Sequence, residues 1–364
     1  MSHLTFAEAV VVGLIQGVTE LFPVSSLGHN VLIPALIGGQ WSRDLSVSAP
    51  ESPYLAFIVG MHVATAVAMI AYFWRDWVRI IGGLFSSVRE RQVVTTDQRL
   101  AWMIILATIP VGVAGLALEH AFRVVFSKPI PTALFLAANG VILIGGERLR
   151  RRSRDTARAA PAGAPVAAEE GARRLRTVGE LSGGREKVTV ATADRRSNGH
   201  SSGRSDSPSS GSGSRPAEPE TARRREIAEA MAADRRLAGI DYRRAVLIGA
   251  SQILALLPGI SRDGIVMVTG MFRGLSREDA VRFSFLLSAP VILAAGALKI
   301  PDLTGSLGNG IRGQVLVGSL LSGIGAYLSV RFLVRYFRES RSLTPFGIYC
   351  LIAGLASFTY LAVR

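Results

Sequence analysis

The chain has 364 residues, of which 49% are apolar and only 19% charged, and its mean hydropathy is +0.34. Soluble domains carry about a quarter charged residues, so this composition excludes a soluble enzyme, a disordered protein and a disulfide scaffold. The formal charge of +14 is unevenly spread: residues 148–244 hold 22 Lys+Arg and 13 Asp+Glu, leaving 19 and 14 among the other 267 residues. The chain therefore reads as two very apolar blocks around a polar insert. The basic insert lacks Phe and Trp, and nucleic-acid stacking platforms need aromatics among their basic residues, so no nucleic-acid partner is expected. The lone cysteine, Cys350, has no partner for a disulfide or a zinc site.

From the N-terminus, no basic region or small-residue cleavage site precedes the first apolar run, so no signal peptide is expected. Ala7–Gly38 is apolar but broken by Pro23-Val24-Ser25-Ser26. Leu55–Phe73, Ala101–Leu118 and Ile130–Gly145 then read as spans, each near the roughly 20 residues a bilayer requires. Tyr54, Trp74 and Trp77 read as interfacial anchors. The insert follows, with Ser/Gly and Ala/Pro tracts and Arg runs that cannot bury enough apolar surface to fold; within it, Glu218–Leu237 reads as an amphipathic helix on the membrane surface. Ala245–Gly274 is again apolar and broken, by Pro258-Gly259-Ile260-Ser261. Three more spans follow, Ala280–Leu298, Val315–Phe332 and Phe346–Leu361.

Proline and glycine in mid-segment stop a helix, so each broken segment reads as a helix–loop–helix that enters the membrane and turns back. The two breaks resemble each other. Ala9-Val10-x-x-Gly13-x-x-Gln16 matches Ala245-Val246-x-x-Gly249-x-x-Gln252, and Pro23-x-x-Ser26 matches Pro258-x-x-Ser261 after a one-residue shift. The expected fold is an all-α integral membrane protein of two repeats, each a re-entrant hairpin plus three transmembrane helices: six spans and two hairpins. Its expected divisions are 1–147, the disordered insert 148–244, and 245–364. Arginines crowd the Trp74–Leu100 and Val330–Leu343 loops as well as the insert, so these three are expected to be cytoplasmic. Three spans is an odd number, so the repeats are inverted and their hairpin tips meet near the midplane.

Polar groups at membrane depth are functional candidates. The first tip offers Gln16, Glu20, Ser25, Ser26 and His29; the second offers Gln252, Ser261, Arg262 and Asp263. Gly28, Gly259 and Gly264 let backbone N–H groups approach an anion at the restarted helices. Arginine is the planar, permanently charged donor for phosphate oxygens. The set suits phosphoryl chemistry on an amphiphile that arrives through the membrane. Each residue alone has a structural reading: Glu20–Arg262 as a buried ion pair, Ser25 and Ser26 as helix caps, Gln16 and Gln252 as interhelical hydrogen-bonders. What favours function is that both helix breaks carry the rare polar groups. His62 and His120 have no clustered partners in the sequence and read as structural.

At these residues the sequence resembles the undecaprenyl-diphosphatase family of the bacitracin-resistance type. The resemblance rests on Gln16-Gly17-Val18-Thr19-Glu20-Leu21-Phe22-Pro23-Val24-Ser25-Ser26-Leu27-Gly28-His29 and on Leu257-Pro258-Gly259-Ile260-Ser261-Arg262-Asp263-Gly264, supported by Arg273–Arg277 and Phe283–Leu287. It covers both apolar blocks and departs from the family pattern at Leu27, Asp263 and Val266, where hydroxyl residues are usual. The resemblance implies hydrolysis of the C55 polyprenyl diphosphate to the monophosphate and inorganic phosphate, which recycles the envelope's lipid carrier and confers bacitracin resistance. It implies a multi-pass protein of the bacterial plasma membrane with its site open to the outside, a divalent cation (Mg2+ or Ca2+) as cofactor, and leaves room for a homodimer. On this reading Glu20, Ser26, His29 and Arg262 are catalytic, and Gln16, Ser25, Gly28, Gly259, Ser261, Asp263 and Gly264 bind substrate. Arg262 clamps the diphosphate. Ser26 is the nucleophile, with Ser25 second and direct water attack left open, and His29 is the general acid or base. Glu20 either activates the nucleophile or holds the metal with Gln16. The rival reading is a polyprenyl-phosphate flippase without hydrolysis.

Overall fold

In a computed structural model of the chain, residues 4–45, 53–121, 128–159, 218–304, 310–339 and 341–364 are described. Their regular structure is helical, with no strand among the described residues. In chain order the helices are α1 (Phe6–Thr19), α2 (Ser26–Ile37), α3 (Gly39–Asp44), α4 (Pro53–Tyr72), α5 (Trp74–Glu90), α6 (Thr96–Ala121), α7 (Pro129–Ala159), α8 (Glu218–Ala238), α9 (Tyr242–Ala250), α10 (Arg262–Phe272), α11 (Arg277–Thr304), α12 (Arg312–Arg338) and α13 (Thr344–Val363), with a 3-10 turn over Ser251–Leu256 after α9. The chain divides into one unit of Met1–Ser153 with Glu226–Arg364 and a second of Arg154–Arg225. In the second, the described residues are the end of α7 and the start of α8. Residues 160–217 of the expected insert, and the side chain of His120, lie outside the described residues.

Among the described residues five helices are long and apolar enough to cross a membrane: Thr96–Leu118, Pro129–Arg152, Arg277–Ala297, Arg312–Arg338 and Thr344–Val363. A sixth span is counted where Phe57–Tyr72 and Trp74–Glu90, bent by 88° at their junction, are taken together. The bend separates two kinds of surface. Along α5 the exposed apolar residues Trp74, Val78, Ile81, Phe85 and Val88 recur at three- and four-residue spacing, which is one helix face.

The local sequence explains where the short helices stop. Thr5 and Glu8 form a capping box at the start of α1: the Thr5 hydroxyl accepts the Glu8 N–H at 3.2 Å and the Glu8 carboxylate accepts the Thr5 N–H at 2.8 Å. Pro23 lacks a donor and restricts the residue before it, so α1 cannot run on into α2. Ser25 and Ser261 restart the chain as N-caps of α2 and α10, accepting the N–H groups of Gly28 and Gly264 at 3.2 and 3.1 Å.

Packing relies on small residues, as expected where lipid supplies no hydrophobic drive between helices. α1 and α4 both lie against α12, α4 also meets α11, and α9 lies against α6. A Cβ on Gly13 of α1 would stand 2.6 Å from the Gly318 carbonyl oxygen of α12, and one on Gly249 of α9 would stand 2.0 Å from that of Ala107 in α6. Glycine is required at both contacts.

One end of the bundle is tied by ion pairs. Arg79 of α5 reaches Asp76 and Asp234 at 2.6 Å each and Asp97 at 3.2 Å. Arg282 of α11 reaches Asp234 at 2.8 Å, Arg236 reaches Asp279 at 2.7 Å, and Arg277 pairs with the buried Glu147. The last turns of α8 are docked on the helical bundle, with Ala233, Asp234 and Leu237 buried and Asp234 held between two guanidiniums. One expectation changes here: Tyr54 is no interfacial anchor. It is fully buried, in ring contact with Phe57 and with its hydroxyl directed to the Asn30 carbonyl at 3.3 Å. Trp74, by contrast, is exposed.

Candidate active site

The two helix breaks meet. The Ser25 hydroxyl that caps α2 also accepts the Gly259 N–H at 3.1 Å, so one oxygen holds the start of α2 and the second tip together. Ser25 does so at φ +69°, in the left-handed region that non-glycine residues avoid. Strain of this kind persists only where surrounding contacts over-determine the backbone. Gly259 has φ +111°, and a Cβ there would stand 2.5 Å from the Thr132 carbonyl oxygen, so this position admits glycine alone. From α7, Asn139 closes the junction. Its amide donates to the Pro23 carbonyl at 3.0 Å, and its oxygen accepts the Ser261 N–H at 3.1 Å.

Glu20 sits at the centre of this junction with 4% of its side chain exposed. Its Oε1 accepts from Arg262 Nη2 at 2.8 Å. Its Oε2 accepts from Gln16 Nε2 at 2.8 Å and from the Ser26 hydroxyl at 2.5 Å, and lies 3.3 Å from His62 Nε2. Gln16 is itself oriented by Asn30, whose amide donates to Gln16 Oε1 at 2.7 Å. The Arg262 Nε is buried without an acceptor, so the guanidinium keeps donor capacity beyond its ion pair.

The expected site residues thus divide. Gln16, Glu20, Ser26 and Arg262 form one hydrogen-bonded cluster. Ser25, Gly28, Gly259, Ser261 and Gly264 build the backbone junction beside it. His29 stands apart from Ser26: Nδ1–H donates to the Ser25 carbonyl at 2.7 Å, so Nε2 is left to accept from the Tyr349 hydroxyl, also at 2.7 Å. The two rings are stacked at 5.8 Å. Asp263 turns toward α11, where its Oδ1 accepts from Ser284 and Ser288 at 2.7 and 2.6 Å. Gln252, the repeat partner of Gln16, donates to its own turn at Gly249, not to the Glu20 cluster. Leu27 and Val266 bring no hydroxyl to the junction.

His62 requires a correction. It is not an isolated structural histidine, because α4 crosses the first tip and sets its ring on Glu20. Tyr349, Asn139 and Asn30 are further polar partners that sequence reasoning passed over. Each is an ordinary polar residue on an apolar helix, and an intramembrane polar residue is the one signal that marks it.

Among the described residues no group of three or more His, Cys, Asp or Glu side chains converges as a metal cage. Glu20 is the carboxylate at the junction, and both of its oxygens already accept donors. This donor set fits a hard cation only where phosphate oxygens complete the shell, the usual manner of Mg2+ binding.

Described residues whose regular structure is all helical, with five or six helices among them long and apolar enough to cross a membrane and a buried carboxylate–hydroxyl–guanidinium cluster, define a polytopic membrane protein with a polar site. Comparison with known proteins gives the family. The family described as bacitracin resistance protein BacA matches residues 9–165 and 221–356, and the chain belongs to it. It is 54% identical to an undecaprenyl-diphosphatase of Mycolicibacterium paratuberculosis over 363 residues, covering 100% of this chain and 99% of that protein. It is 51% identical to undecaprenyl-diphosphatase 1 of Frankia casuarinae, covering 97% of each. At greater distance it is 33% identical to undecaprenyl-diphosphatase 2 of Chromobacterium violaceum, covering 97% of this chain and 98% of that protein.

Proposed function

We propose that this protein is a membrane phosphatase that hydrolyses undecaprenyl diphosphate to undecaprenyl phosphate and inorganic phosphate. Through that reaction it recycles the lipid carrier of cell-wall synthesis and confers bacitracin resistance. Relatives with that activity in their names match it end to end, and the family matches it over residues 9–165 and 221–356. The observation that carries the chemistry is the 2.5 Å hydrogen bond from Ser26 to Glu20, with Arg262 on the other carboxylate oxygen.

In the mechanism, Arg262 binds the terminal phosphate through the donors that Glu20 does not use. The Ser26 oxygen attacks the terminal phosphorus as Glu20 takes its proton. The anhydride P–O bond breaks, and its electron pair leaves on the lipid monophosphate. Water then attacks the serine-bound phosphorus, the serine O–P bond breaks with its electron pair on the serine oxygen, and Glu20 returns the proton to that oxygen as phosphate leaves. Ser25 serves the backbone junction, since its oxygen is committed to two N–H groups. Positioning and electrostatics supply most of the rate in phosphoryl transfer. A divalent cation held by Glu20 and phosphate oxygens would neutralise the diphosphate. His29, as a neutral ring, orients the first tip through Ser25.

The architecture of this reading is two inverted repeats with re-entrant hairpins. Reciprocal packing supports it: α1 lies on α12, the second span of the other half, and α9 lies on α6, its counterpart. The ends support it too. The second hairpin begins and ends beside Arg243, Arg244 and Arg273. The first begins where Gln314 donates to the Leu4 carbonyl at 3.0 Å and ends at Gly38, whose Cβ position lies 3.1 Å from Arg364. With the arginine-rich end cytoplasmic, the insert 148–244 lies inside, between the repeats 1–147 and 245–364, and the site opens outward.

The experiment uses sealed vesicles containing the purified protein and undecaprenyl diphosphate in the outer leaflet. Stoichiometric appearance of inorganic phosphate and lipid monophosphate is expected. Movement of intact diphosphate across the bilayer without phosphate release would favour the flippase.

A further inference from the structure

We infer that the arginine-rich end of the bundle holds a second lipid site. An anionic glycerophospholipid sits there with its phosphate between Arg75 and Arg338 and an acyl chain in the seam of α4 and α12. No residue of the Glu20 cluster lines this site, and it stands whether or not the protein hydrolyses a diphosphate.

Two concavities make the site. A cavity of about 510 Å3 opens between α5, α8, α11 and α12, with Arg75, Arg79, Arg282 and Arg338 in its wall against one carboxylate, Asp76. The rest of the wall is largely apolar: Trp74 and Val78 of α5 and Ile227 and Met231 of α8 line it and are exposed. A groove of about 610 Å3 follows the seam of α4 and α12, past Ala64, Ala68, Leu320, Gly323 and Ile324, and no charged residue lines it. Tyr327 belongs to both walls, so the cavity runs on into the groove. Its ring meets Tyr72 of the cavity edge-on at 5.9 Å. A cationic mouth leading to an apolar channel suits a ligand with an anionic head and a long hydrocarbon chain.

The arginines divide into committed and available. Arg79 and Arg282 share the carboxylates of Asp76 and Asp234. Arg75 makes no ion pair among the described residues, and its guanidinium lies 5.2 Å from the ring of Trp74. Arg338 reaches Glu229 at 3.7 Å, but the two side chains are 44% and 54% exposed, and such a pair contributes little. Two guanidiniums are therefore open to a phosphate, whose oxygens match their planar donors.

Dimensions select the occupant. Leu316 and Tyr327 bound the groove on α12, and at 1.5 Å per residue they stand about 16 Å apart. That is about half of the roughly 30 Å hydrocarbon core, the depth of one leaflet. Arg331, one helical turn beyond Tyr327, is exposed and marks the level of the headgroups. The groove thus takes one acyl chain of a lipid whose phosphate lies at the arginines, whereas a C55 polyprenyl chain is far longer. The close approach of α4 and α12 forms the floor: a Cβ on Gly323 would stand 3.5 Å from the Ala64 carbonyl oxygen. A lipid seated here touches α5, α8 and α12 at once and ties α8 to the membrane end of the bundle.

The test uses the purified full chain in phosphatidylcholine vesicles, with tryptophan quenching by lipids brominated near the head of the acyl chain. Trp74 lines the cavity and is exposed, so a seated lipid quenches it. Brominated phosphatidylglycerol is expected to reach half-maximal quenching at about tenfold lower mole fraction than brominated phosphatidylcholine, in line with two basic residues near the surface. Arg75→Gln/Arg338→Gln should abolish that preference. Arg331→Gln/Arg335→Gln removes the same charge from exposed positions of α12 outside the cavity and should keep it. Ser319→Phe, which fills the groove, should weaken quenching by brominated phosphatidylglycerol severalfold, and no change would overturn the placement of the chain. Equal quenching of the wild type by the two lipids overturns the inference. So does an equal loss in the two double variants, which would mean diffuse surface attraction. Undecaprenyl phosphate that relieves the quenching at a lower mole fraction than unbrominated phosphatidylglycerol would give the site to a polyprenyl lipid and overturn the phospholipid assignment. If Arg75→Gln/Arg338→Gln fails to fold, native mass spectrometry of the wild type from mixed vesicles decides: retained phosphatidylglycerol is expected, and retention of the two lipids in the ratio supplied, or of neither, overturns the inference.

Discussion

Ser25 and Ser26 are adjacent hydroxyls that the structure assigns opposite work, and exchanging each for alanine separates stability from catalysis. The Ser25 oxygen accepts two buried N–H groups, from Gly28 and Gly259. Alanine leaves both donors unpaired, at about 1–3 kcal/mol each, so Ser25→Ala is expected to destabilise by about 2–6 kcal/mol. Ser25 also sits at φ +69°, a conformation glycine adopts without the left-handed penalty of about 1–2 kcal/mol. Ser25→Gly is thus expected to be more stable than Ser25→Ala by about that amount, although it lacks the same two hydrogen bonds. Ser26 makes one hydrogen bond, as a donor to Glu20, which keeps Gln16 and His62 on the same oxygen. Ser26→Ala is expected to lose only about 1–2 kcal/mol but at least about 10³-fold in kcat, as befits a nucleophile. Thermal unfolding in detergent, followed by fluorescence of the four tryptophans, gives the first quantity, and phosphate release gives the second. Ser26→Ala within tenfold of wild-type kcat, or Ser25→Ala melting with the wild type, would refute the division of labour.

Three further outcomes are expected. Arg262→Lys keeps a charge for Glu20 but loses the planar fork and the free Nε donor, and its kcat/KM should fall by about 10²-fold or more; near-normal kcat/KM would remove the clamp. Tyr349→Phe loses the hydrogen bond to His29 but keeps the stacked ring, so kcat should fall by only about 2–10-fold, matching about 0.5–1.5 kcal/mol; a thousandfold loss would make the hydroxyl a participant in the chemistry. Excision of residues 166–216, between the two stretches that match the family, should leave phosphate release within twofold, whereas Asp234→Ala should destabilise by about 2–3 kcal/mol because Arg79 and Arg282 lose a shared carboxylate, Arg282 keeping Asp76 and Arg79 keeping Asp76 and Asp97. Equal melting temperatures for Asp234→Ala and wild type would show that α8 is not docked through that pair.

What the sequence made legible was whatever a local pattern encodes. Runs of apolar residues marked the spans, and Pro23 and Pro258 with their serines marked the two breaks and the caps that follow. Glu20, Ser26 and Arg262 stood out because charge and hydroxyls are rare at membrane depth. The partners of that cluster were not legible, since helix packing decides them. His62 is a single histidine in an apolar run, and nothing within α4 points to a carboxylate 42 positions earlier. Asn139 joins the two tips from a third helix, and Tyr349 reaches His29 across 320 residues. Tyr54 misled for the same reason: an aromatic at a helix end fits the membrane interface by position, but here its ring is enclosed. Asp263 shows the limit of adjacency, because a helical step of one residue turns it from Glu20 toward Ser284 and Ser288.

The central claim is that the two tips, separated by more than 230 residues, form one phosphatase site through Glu20 and Arg262. A double-mutant cycle on the rate of phosphate release from undecaprenyl diphosphate tests it directly. Each single change, Glu20→Gln and Arg262→Ala, should lower kcat by about 10²–10⁴-fold, and the double variant should be little slower than the worse single, because the second change removes a unit already broken. Losses that multiply in the double variant would mean that the two residues act independently and that the tips do not share one site.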